Sequence, residues 1–560
     1  MKKWETLNKL KFKSSNFKVD ALIDLLLENR GVKTAKERED FLHPKFEIVT
    51  PESVGIDLRQ LKKALKRIKK AIGDKEQIVV FGDYDVDGIT GAAILWETIH
   101  RLGAKVMPYI PHRVDEGYGL SLKALEGEEL RALNPKLIIT VDNGIVAHDA
   151  VEFANQQGID VIITDHHAVG DKVPDALAIV HTTKLCGAGV AYVLMKELIA
   201  NCELRIANSV EDTHLELAAL GTVADMVPLT GANRTIVKYG LEALGKTKRH
   251  GLLALFRQAK LEKEKYGVYD IGFVIAPRLN AAGRIESAMD SLRLLCTLDP
   301  NRAEILAENL ELTNRERQIL MKAAVEHAKA GVRGKGLGAR KLLFVADESY
   351  PQGVIGLVAG KLVEEFYLPS IVLSIGEKYS KASVRSVSGF NIVEFLRNSF
   401  DEFINIGGHP MAAGFTIETA KIQLLQEKLE GLAEDAIRDD VLTRRLKIDC
   451  ELPLGSITQD LYESIQQLSP FGMGNPEPAF VSRGVVVKDI RAIGKESNHL
   501  KLQLQHVNSQ LFDAIAFGFG EFASKIKKGD AIDVVYVIDE NTWNGNTKLQ
   551  LKIKDISFKH

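Results

Sequence analysis

Three short apolar runs set the rhythm of the first half of the chain: Ile78-Val79-Val80-Phe81, Leu137-Ile138-Ile139-Thr140-Val141 and Val161-Ile162-Ile163-Thr164. Each is followed by a longer stretch of helical character, which is the pattern of buried parallel strands in an α/β sheet. Lys105-Val106-Met107-Pro108-Tyr109-Ile110 and Ala178-Ile179-Val180 supply further strands, so residues 76–230 are predicted to form a doubly wound sheet. Residues 1–75 read as helical and end in Leu58-Arg59-Gln60-Leu61-Lys62-Lys63-Ala64-Leu65-Lys66-Arg67-Ile68. The apolar positions of that segment recur at helical spacing, and its cations read as a solvated face.

Residues 231–340 are expected to be helical. Asp299-Pro300 offers a cap and a first-turn proline, and no Gly or Pro follows until Gly331, which predicts one long linking helix. A second α/β unit over 341–450 opens with Lys341-Leu342-Leu343-Phe344-Val345, continues through Ile371-Val372-Leu373-Ser374 and holds a glycine-rich turn, Gly407-Gly408-His409-Pro410-Met411-Ala412-Ala413-Gly414. Residues 451–560 change to strict alternation in five segments, beginning at Val485, His499, Ala514, Ile532 and Leu549. Five alternating strands with polar turns predict a small barrel of the OB type. The expected fold class is therefore multidomain α/β: a parallel-sheet domain, a long linking helix, a second α/β domain and a C-terminal OB-type β-barrel.

Composition narrows the class. A 560-residue chain with 45% hydrophobic residues can bury several cores. Met1-Lys2-Lys3 leads into Trp4-Glu5-Thr6 with no apolar signal region, and no run approaches the ~20 apolar residues of a membrane span, so a cytoplasmic, non-membrane protein is expected. Cys186, Cys202, Cys296 and Cys450 are far apart without CxxC spacing and read as buried thiols of a reducing compartment, not a zinc site. A net charge of −2 means that any nucleic-acid binding must come from local basic patches.

The chemistry lies in four clusters expected at strand ends: Gly82-Asp83-Tyr84-Asp85-Val86-Asp87-Gly88, Val141-Asp142-Asn143-Gly144, Asp165-His166-His167 and Ala224-Asp225. The first alone matches the opening of an EF-hand loop, but its twelfth position is Ile94 instead of the bidentate Glu, and it equally suits a capped turn. Together the clusters bring acidic and imidazole groups to the edge where α/β sheets hold ligands. Gathered carboxylates repel one another unless cations neutralise them. Carboxylate and imidazole without thiolate favours Mg or Mn, and two divalent ions at a phosphate-chemistry site are the economical answer.

With these motifs in view, the chain resembles the DHH phosphoesterase superfamily, named for the triplet at Asp165-His166-His167, and within it the RecJ-type single-strand-specific exonucleases. The resemblance also rests on the segment from Ala219 to Leu229, on Pro277-Arg278-Leu279-Asn280-Ala281-Ala282-Gly283-Arg284, on Gly407-Gly408-His409 and on Pro470-Phe471-Gly472-Met473-Gly474-Asn475-Pro476. It implies removal of nucleotides from the 5′ end of single-stranded DNA, in repair and recombination, with two Mn²⁺ or Mg²⁺ as cofactors. It implies metal ligation by Asp83, Asp85, Asp87, Asp142, His166 and Asp225, with Asp142 and Asp225 bridging. Asp142, Asp165 and His167 would form the catalytic set, His167 staying off the metals to contact the phosphate or protonate the leaving oxygen.

Arg278, Asn280 and Arg284 are the implied backbone contacts, each of the two Arg being equally suited to a structural ion pair, and Arg113, in Pro111-His112-Arg113-Val114-Asp115-Glu116-Gly117-Tyr118-Gly119, would join the residues that receive a 5′ phosphate. Ser383, Arg385, Gly408 and His409 would receive a 5′ phosphate. Phe512, Phe517, Tyr536 and Trp543 are candidates for stacking bases, one or two of them facing DNA and the others serving as core. Tyr350-Pro351-Gln352-Gly353 departs from the Trp-His pair common at this point in relatives. The resemblance further implies a monomer that meets a single-stranded-DNA-binding protein and a RecQ-type helicase. Two rivals use the same residues: a DHH phosphodiesterase or pyrophosphatase acting on nanoRNA, cyclic dinucleotides or pyrophosphate, and a non-catalytic scaffold. The barrel and the Pro277–Arg284 segment argue against the first, and the intact ligand set argues against the second.

Overall fold

The computed structural model describes residues 2–8, 17–113, 115–201, 214–261, 263–285, 287–334, 340–506, 510–543 and 545–558. Two compact bodies emerge. One comprises Thr50–Asp225 with Tyr239–Arg444, and the other Met1–Val49 with Met226–Lys238 and Arg445–His560.

The first body opens with the basic amphipathic helix Leu58–Gly73, which buries Leu61, Ala64, Leu65 and Ile68 and keeps most of its charges outside. A five-stranded sheet follows, all parallel, in the order Lys105–Tyr109, Gln77–Gly82, Leu137–Val141, Asp160–Asp165, Ala178–His181. Its central strands are buried on both faces, which explains their unbroken apolar runs. The chain leaves Gln77–Gly82 toward one side and returns through Leu137–Val141 on the other, opening a crevice between the carboxyl ends of those two strands.

The linking helix runs unbroken over Pro300–Gly334, 35 residues, with Asp299 capping the Asn301 N–H at 2.9 Å. It spans about 50 Å. Its first half packs on the helices His250–Gln258, Ala276–Ile285 and Met289–Cys296. Its second half places Ala324, Val325, Ala328 and Val332 in a core with Leu343, Val358, Leu362 and Val372. The second sheet has the order Asn405–His409, Ala412–Glu418, Tyr379–Arg385, Ser370–Ser374, Leu343–Asp347, and only the last pair is parallel. The glycine-rich stretch expected to be a turn is mostly strand. Gly407 pairs with Gly414 and His409 with Ala412, so the turn itself is only Pro410-Met411.

The second body is built on a closed five-stranded barrel. Phe480–Ile493 pairs with His499–Gln505 on one side and with Ala531–Trp543 on the other, and Phe512–Ala516 and Asn546–Phe558 complete the circuit. The N-terminal stretch expected to be wholly helical also contributes a strand, Lys3–Thr6, parallel to Arg445–Ile448. Phe512 and Tyr536 are core residues at 3% and 0% exposure, whereas Phe517 is 56% exposed. Of the four candidate stacking rings, two are thus filling and one faces solvent; the Trp543 side chain lies outside the described residues, as does Cys202. Cys186 and Cys450 are buried and Cys296 is half-buried.

Arg234 ties this body together. Its guanidinium is buried without a carboxylate and donates to the carbonyls of Phe41, Leu468, Gln467 and Ser469, at 2.8, 2.8, 3.3 and 2.7 Å, while lying 3.9 Å over the Phe41 ring. Burial, helped by the nearby Arg30, lowers its pKa to about 10. The Pro470–Pro476 motif serves the same junction: Asn475 donates to the Leu468 and Pro470 carbonyls and accepts from Arg30. Arg234→Met would remove the donor from the Phe41, Gln467 and Ser469 carbonyls, Leu468 keeping its bond from Asn475, and is expected to lower stability by about 2–3 kcal/mol, read as the shift in a urea unfolding midpoint. An unchanged midpoint would contradict the role given to this arginine.

Candidate active site

The backbone after strand Gln77–Gly82 turns into helix Val86–Arg101, capped by Asp85, whose Oδ1 accepts from the N–H groups of Asp87 and Gly88. Asp87 in turn accepts from the N–H groups of Gly187 and Ala188, at 2.6 and 2.8 Å, at the start of helix Gly187–Ala200. The positive end of that helix thus steadies a carboxylate 100 residues away in sequence. Asp142 follows the next strand with φ 64°, a left-handed backbone rare for a non-glycine residue and typical of constrained functional positions. Asp225 departs from expectation: it closes helix Leu215–Ala224 instead of a strand, which is why no apolar run precedes it in alternation with the others.

These elements converge. His166 Nε2 lies 3.1 Å from Asp142 Oδ1, 3.7 Å from Asp225 Oδ2 and 3.8 Å from Asp87 Oδ2. Among the described residues, donor atoms fall within 4.8 Å of one another in three groupings: Asp83, Asp85 and Asp142; Asp87, His166 and Asp225; and Asp142, His166 and His167. Asp142 stands in two of them and Asp225 in one. Asp83 Oδ1, Asp142 Oδ1 and His166 Nε2 are buried without any hydrogen-bond partner. Burial raises the pKa of Asp83, Asp85 and Asp142 above the ordinary carboxylate range, each neighbouring carboxylate adding to the effect, and lifts Asp225 to about 9. Burial also lowers His166, keeping its imidazole neutral and able to ligate. Orphaned donors of hard oxygen and neutral imidazole, in two groupings that share the cluster, fit a pair of divalent cations.

Asp165 stands apart from this set, and His167, although it falls in the third grouping, is tied to Asp165. Asp165 is buried and accepts from the N–H groups of Ile145, His166 and His167 and from His167 Nδ1 at 2.8 Å. Against the effect of burial, those bonds hold the Asp165 carboxyl below its ordinary range and raise His167. His167 Nδ1 is therefore closed on Asp165, and its Nε2 meets the Tyr118 hydroxyl at 3.2 Å.

The other expected contacts divide. The hairpin Asn405–Glu418 brings His409 parallel to the His167 ring, with centroids 6.3 Å apart and 9° between planes. A Cβ on Gly356, in the first turn of helix Ile355–Phe366, would meet both Ser383 and Arg385, so that helix start, Ser383 and Arg385 share one pocket. Gly408, beside His409, is exposed at φ 139°. Burial and the nearby Arg113 depress the pKa of both Arg284, to about 10, and Arg385. Three guanidiniums thus gather where an anion would relieve their repulsion. Arg278 is committed elsewhere: its Nε pairs with Glu311 at 2.7 Å and one terminal nitrogen donates to the Val274 carbonyl. Asn280 accepts from the Val86 N–H at 3.0 Å, fixing the start of the helix that Asp85 caps.

Comparison with known proteins identifies the family of the chain. The profiles of the DHH family N-terminal domain, the DHHA1 domain and the RecJ OB domain match residues 77–222, 339–435 and 448–555. The single-stranded-DNA-specific exonuclease RecJ of Bacillus subtilis (strain 168) is 37% identical over 98% of this chain and 69% of its own length. The chain belongs to the RecJ family. The RecJ of Salmonella typhimurium is 31% identical over 96% of this chain and 95% of its own. The crystal structure of Thermus thermophilus RecJ in complex with Mn²⁺ superposes with a TM-score of 0.83 at 29% identity, covering 100% of this chain and 80% of that one; a complex of the same protein with Mg²⁺ superposes at 0.77.

Some residues of this RecJ-family site escape sequence reasoning. The Tyr118 hydroxyl donates to the Asp142 carbonyl and lies within hydrogen-bond reach of His167 Nε2, both at 3.2 Å. Tyr84 lies beneath the Arg113 guanidinium at 5.0 Å. Both fall inside segments already singled out, but an aromatic between charged neighbours carries no signal of its own. Asn143 links the strand ends by donating to the Phe81 and Val141 carbonyls. Gly187 is required because a Cβ there would come within 2.4 Å of the Asp142 Cβ. Gly187→Ala is therefore expected to displace Asp142 and weaken Mn²⁺ binding about 10–100-fold, measured by titration calorimetry. Wild-type affinity in that variant would sink the placement of Asp142 in the metal set.

Proposed function

We propose that this chain is a metal-dependent exonuclease that degrades single-stranded DNA from its 5′ end to mononucleotides, in DNA repair and recombination. The observation that carries the reading is the meeting of a buried, uncompensated carboxylate–imidazole cluster with a group of converging arginines, in a chain of the RecJ family. Asp83, Asp85 and Asp142 would hold one ion and Asp87, His166 and Asp225 the other, with Asp142 positioned to serve both. Two Mn²⁺ or Mg²⁺ ions bound there supply activation of water and neutralisation of the phosphoryl charge.

The chain's own residues do the rest. Asp165 holds His167 by Nδ1, so that Nε2, which meets the Tyr118 hydroxyl in the substrate-free site, is the nitrogen from which His167 would donate a proton to the leaving oxygen. Arg113, Arg284 and Arg385, with Ser383 and the backbone around Gly408 and His409, would bind the 5′-terminal phosphate and set the scissile bond against the ions. Arg278 and Asn280 support that geometry by holding the helix that carries Arg284. The RecJ OB domain favours a polymeric substrate over the alternative, a DHH phosphodiesterase acting on nanoRNA or cyclic dinucleotides, which needs no track beyond the cleft. The same reading makes the chain a cytoplasmic monomer whose natural partners are a single-stranded-DNA-binding protein and a RecQ-type helicase, which coat and generate such strands. No helix among the described residues is long and apolar enough to cross a membrane.

An oligonucleotide labelled separately at its two ends tests the reading. With Mn²⁺, early release of 5′-labelled mononucleotide and a shortening ladder from the 3′ label are expected, with silence in EDTA; hydrolysis of dinucleotides only would shift the conclusion to the small-substrate alternative. Asp142→Ala is expected to abolish cleavage while retaining the fold by circular dichroism, and full activity would overturn the ligand set. Arg385→Ala is expected to reduce kcat/KM on 5′-phosphorylated ends by about 10–100-fold, the worth of a charged hydrogen bond, and much less on 5′-hydroxyl ends. An equal loss on both ends would remove the phosphate-binding role.

A further inference from the structure

One continuous helix over residues 268–285 carries an unusual surface feature at its start. Its first turn, Val268–Asp270, leads through a π-helical segment, Ile271–Ile275, into Ala276–Ile285. Ile271, Ile275, Leu279 and Ala282 are buried and anchor it. Tyr269 and Phe273 face the other way, 68% and 71% exposed, with rings stacked at 4.8 Å and 21°. Asp270, buried between them in sequence, accepts from the Gly267 N–H and pairs with Lys263 at 2.6 Å, so the turn presenting the rings is fixed at its base.

The pair is aligned with the active site. Tyr269 and Phe273 lie four residues apart before and within the π-helical segment, and Asn280 and Arg284 lie four residues apart beyond it on the same continuous helix. Asn280 holds the Val86 N–H beside Asp85, and Gly283 abuts the Tyr84 carbonyl. Gly272, next to Phe273, lies against Val223, two residues from Asp225. Phe273 stands about 10 Å along the helix from Asn280. A π-helical segment inside an α-helix frequently marks a functional site.

We propose that Tyr269 and Phe273 form a stacking platform for unpaired nucleobases of a strand whose end occupies the metal cluster. This inference rests on the exonuclease reading and extends it to the strand beyond the cleaved nucleotide. Two rings expose too little area to hold a protein partner, whose stable interfaces bury about 1,200–2,000 Å². They do match one or two bases, each of which offers a flat π-face regardless of sequence. The continuity of the helix with Asn280 and Arg284, and the approach of Gly272 to Val223 beside Asp225, would put those bases near the metal cluster and not on a remote surface.

The test compares kcat/KM on 5′-phosphorylated dT15 with that on the dinucleotide pdTpdT, for wild type, the double variant Tyr269→Ala/Phe273→Ala, and Phe273→Trp. The ratio of long to short substrate is expected to fall about tenfold or more in the double variant and to persist in Phe273→Trp, which restores a stacking ring. Removing bases near the 5′ end of dT15 should lower the wild-type ratio and change the double variant far less. A fall on dT15 alone, or equally on rU15, supports the platform and identifies the sugar of the strand it takes. An unchanged ratio, with dT15 still cleaved by the wild type, overturns the platform alone. A wild type that hydrolyses pdTpdT and leaves dT15 intact overturns the exonuclease reading as well.

Discussion

The mutual repulsion of buried carboxylates is the constraint around which the first body is organised. Asp83, Asp85, Asp87, Asp142 and Asp225 arrive from three separate stretches of chain; Asp83, Asp87 and Asp142 are buried by the sheet and the helices packed on it, and Asp85 and Asp225 are half-buried. Nothing in the folding of the strands requires them there. The surrounding elements hold them individually. Helix Gly187–Ala200 steadies Asp87 through its first amides, and the amides after Asp85 turn that residue into a helix cap. Asp142 is kept in a left-handed conformation between the close backbone of Gly187 and the amide ladder of Asn143. These are local stabilisations of single groups, and they leave the sum of negative charge to be met by cations.

The complementary problem appears on the substrate side. Burial, and then the positive charge of Arg113 beside them, lower the affinity of Arg284 and Arg385 for protons. A phosphate end would answer the arginines, as divalent cations would answer the carboxylates. The long helix Pro300–Gly334 makes this possible by packing on the helix that carries Arg284 with one half and on the sheet domain that carries Arg385 with the other. Its length and lack of breaks are thus part of the site's geometry, although none of its residues belongs to the metal set.

How much of this can be read from residues alone follows from the range of the forces involved. The parallel strands, the long helix and the barrel are legible because burial on two faces, freedom from helix breakers and alternation leave periodic marks on sequence. The ligand clusters are legible because acidic residues directly after apolar runs have few structural uses. Asp225 is legible only through its motif, since it ends a uniformly buried helix. Arg278 and Asn280 show the limit from the other side. Residue type suggests phosphate contacts, yet Glu311 and the Val86 amide, distant in sequence, claim them. Tyr118, Gly187 and the ring pair Tyr269–Phe273 depend on which side chains meet across elements, and periodicity does not encode that.

A second buried ionic cluster shows why the metal set is functional and not merely polar. Helices Val86–Arg101 and Leu215–Ala224 each have one end at the metal cluster and the other near Glu97 and Glu216. At that far end Arg249 pairs with both glutamates at 2.7 Å, and His214 meets Glu97 at 2.9 Å. Against the effect of burial, these partners lower the pKa of Glu97 to about 2, while at the near end burial and neighbouring carboxylates lift Asp225 to about 9. The same two helices, in the same body, therefore carry one acidic cluster that the protein neutralises with its own cations and one that it does not. A fold that compensates buried acids where they are structural has left Asp83 Oδ1, Asp142 Oδ1 and His166 Nε2 without a hydrogen bond where the chemistry needs ions from outside.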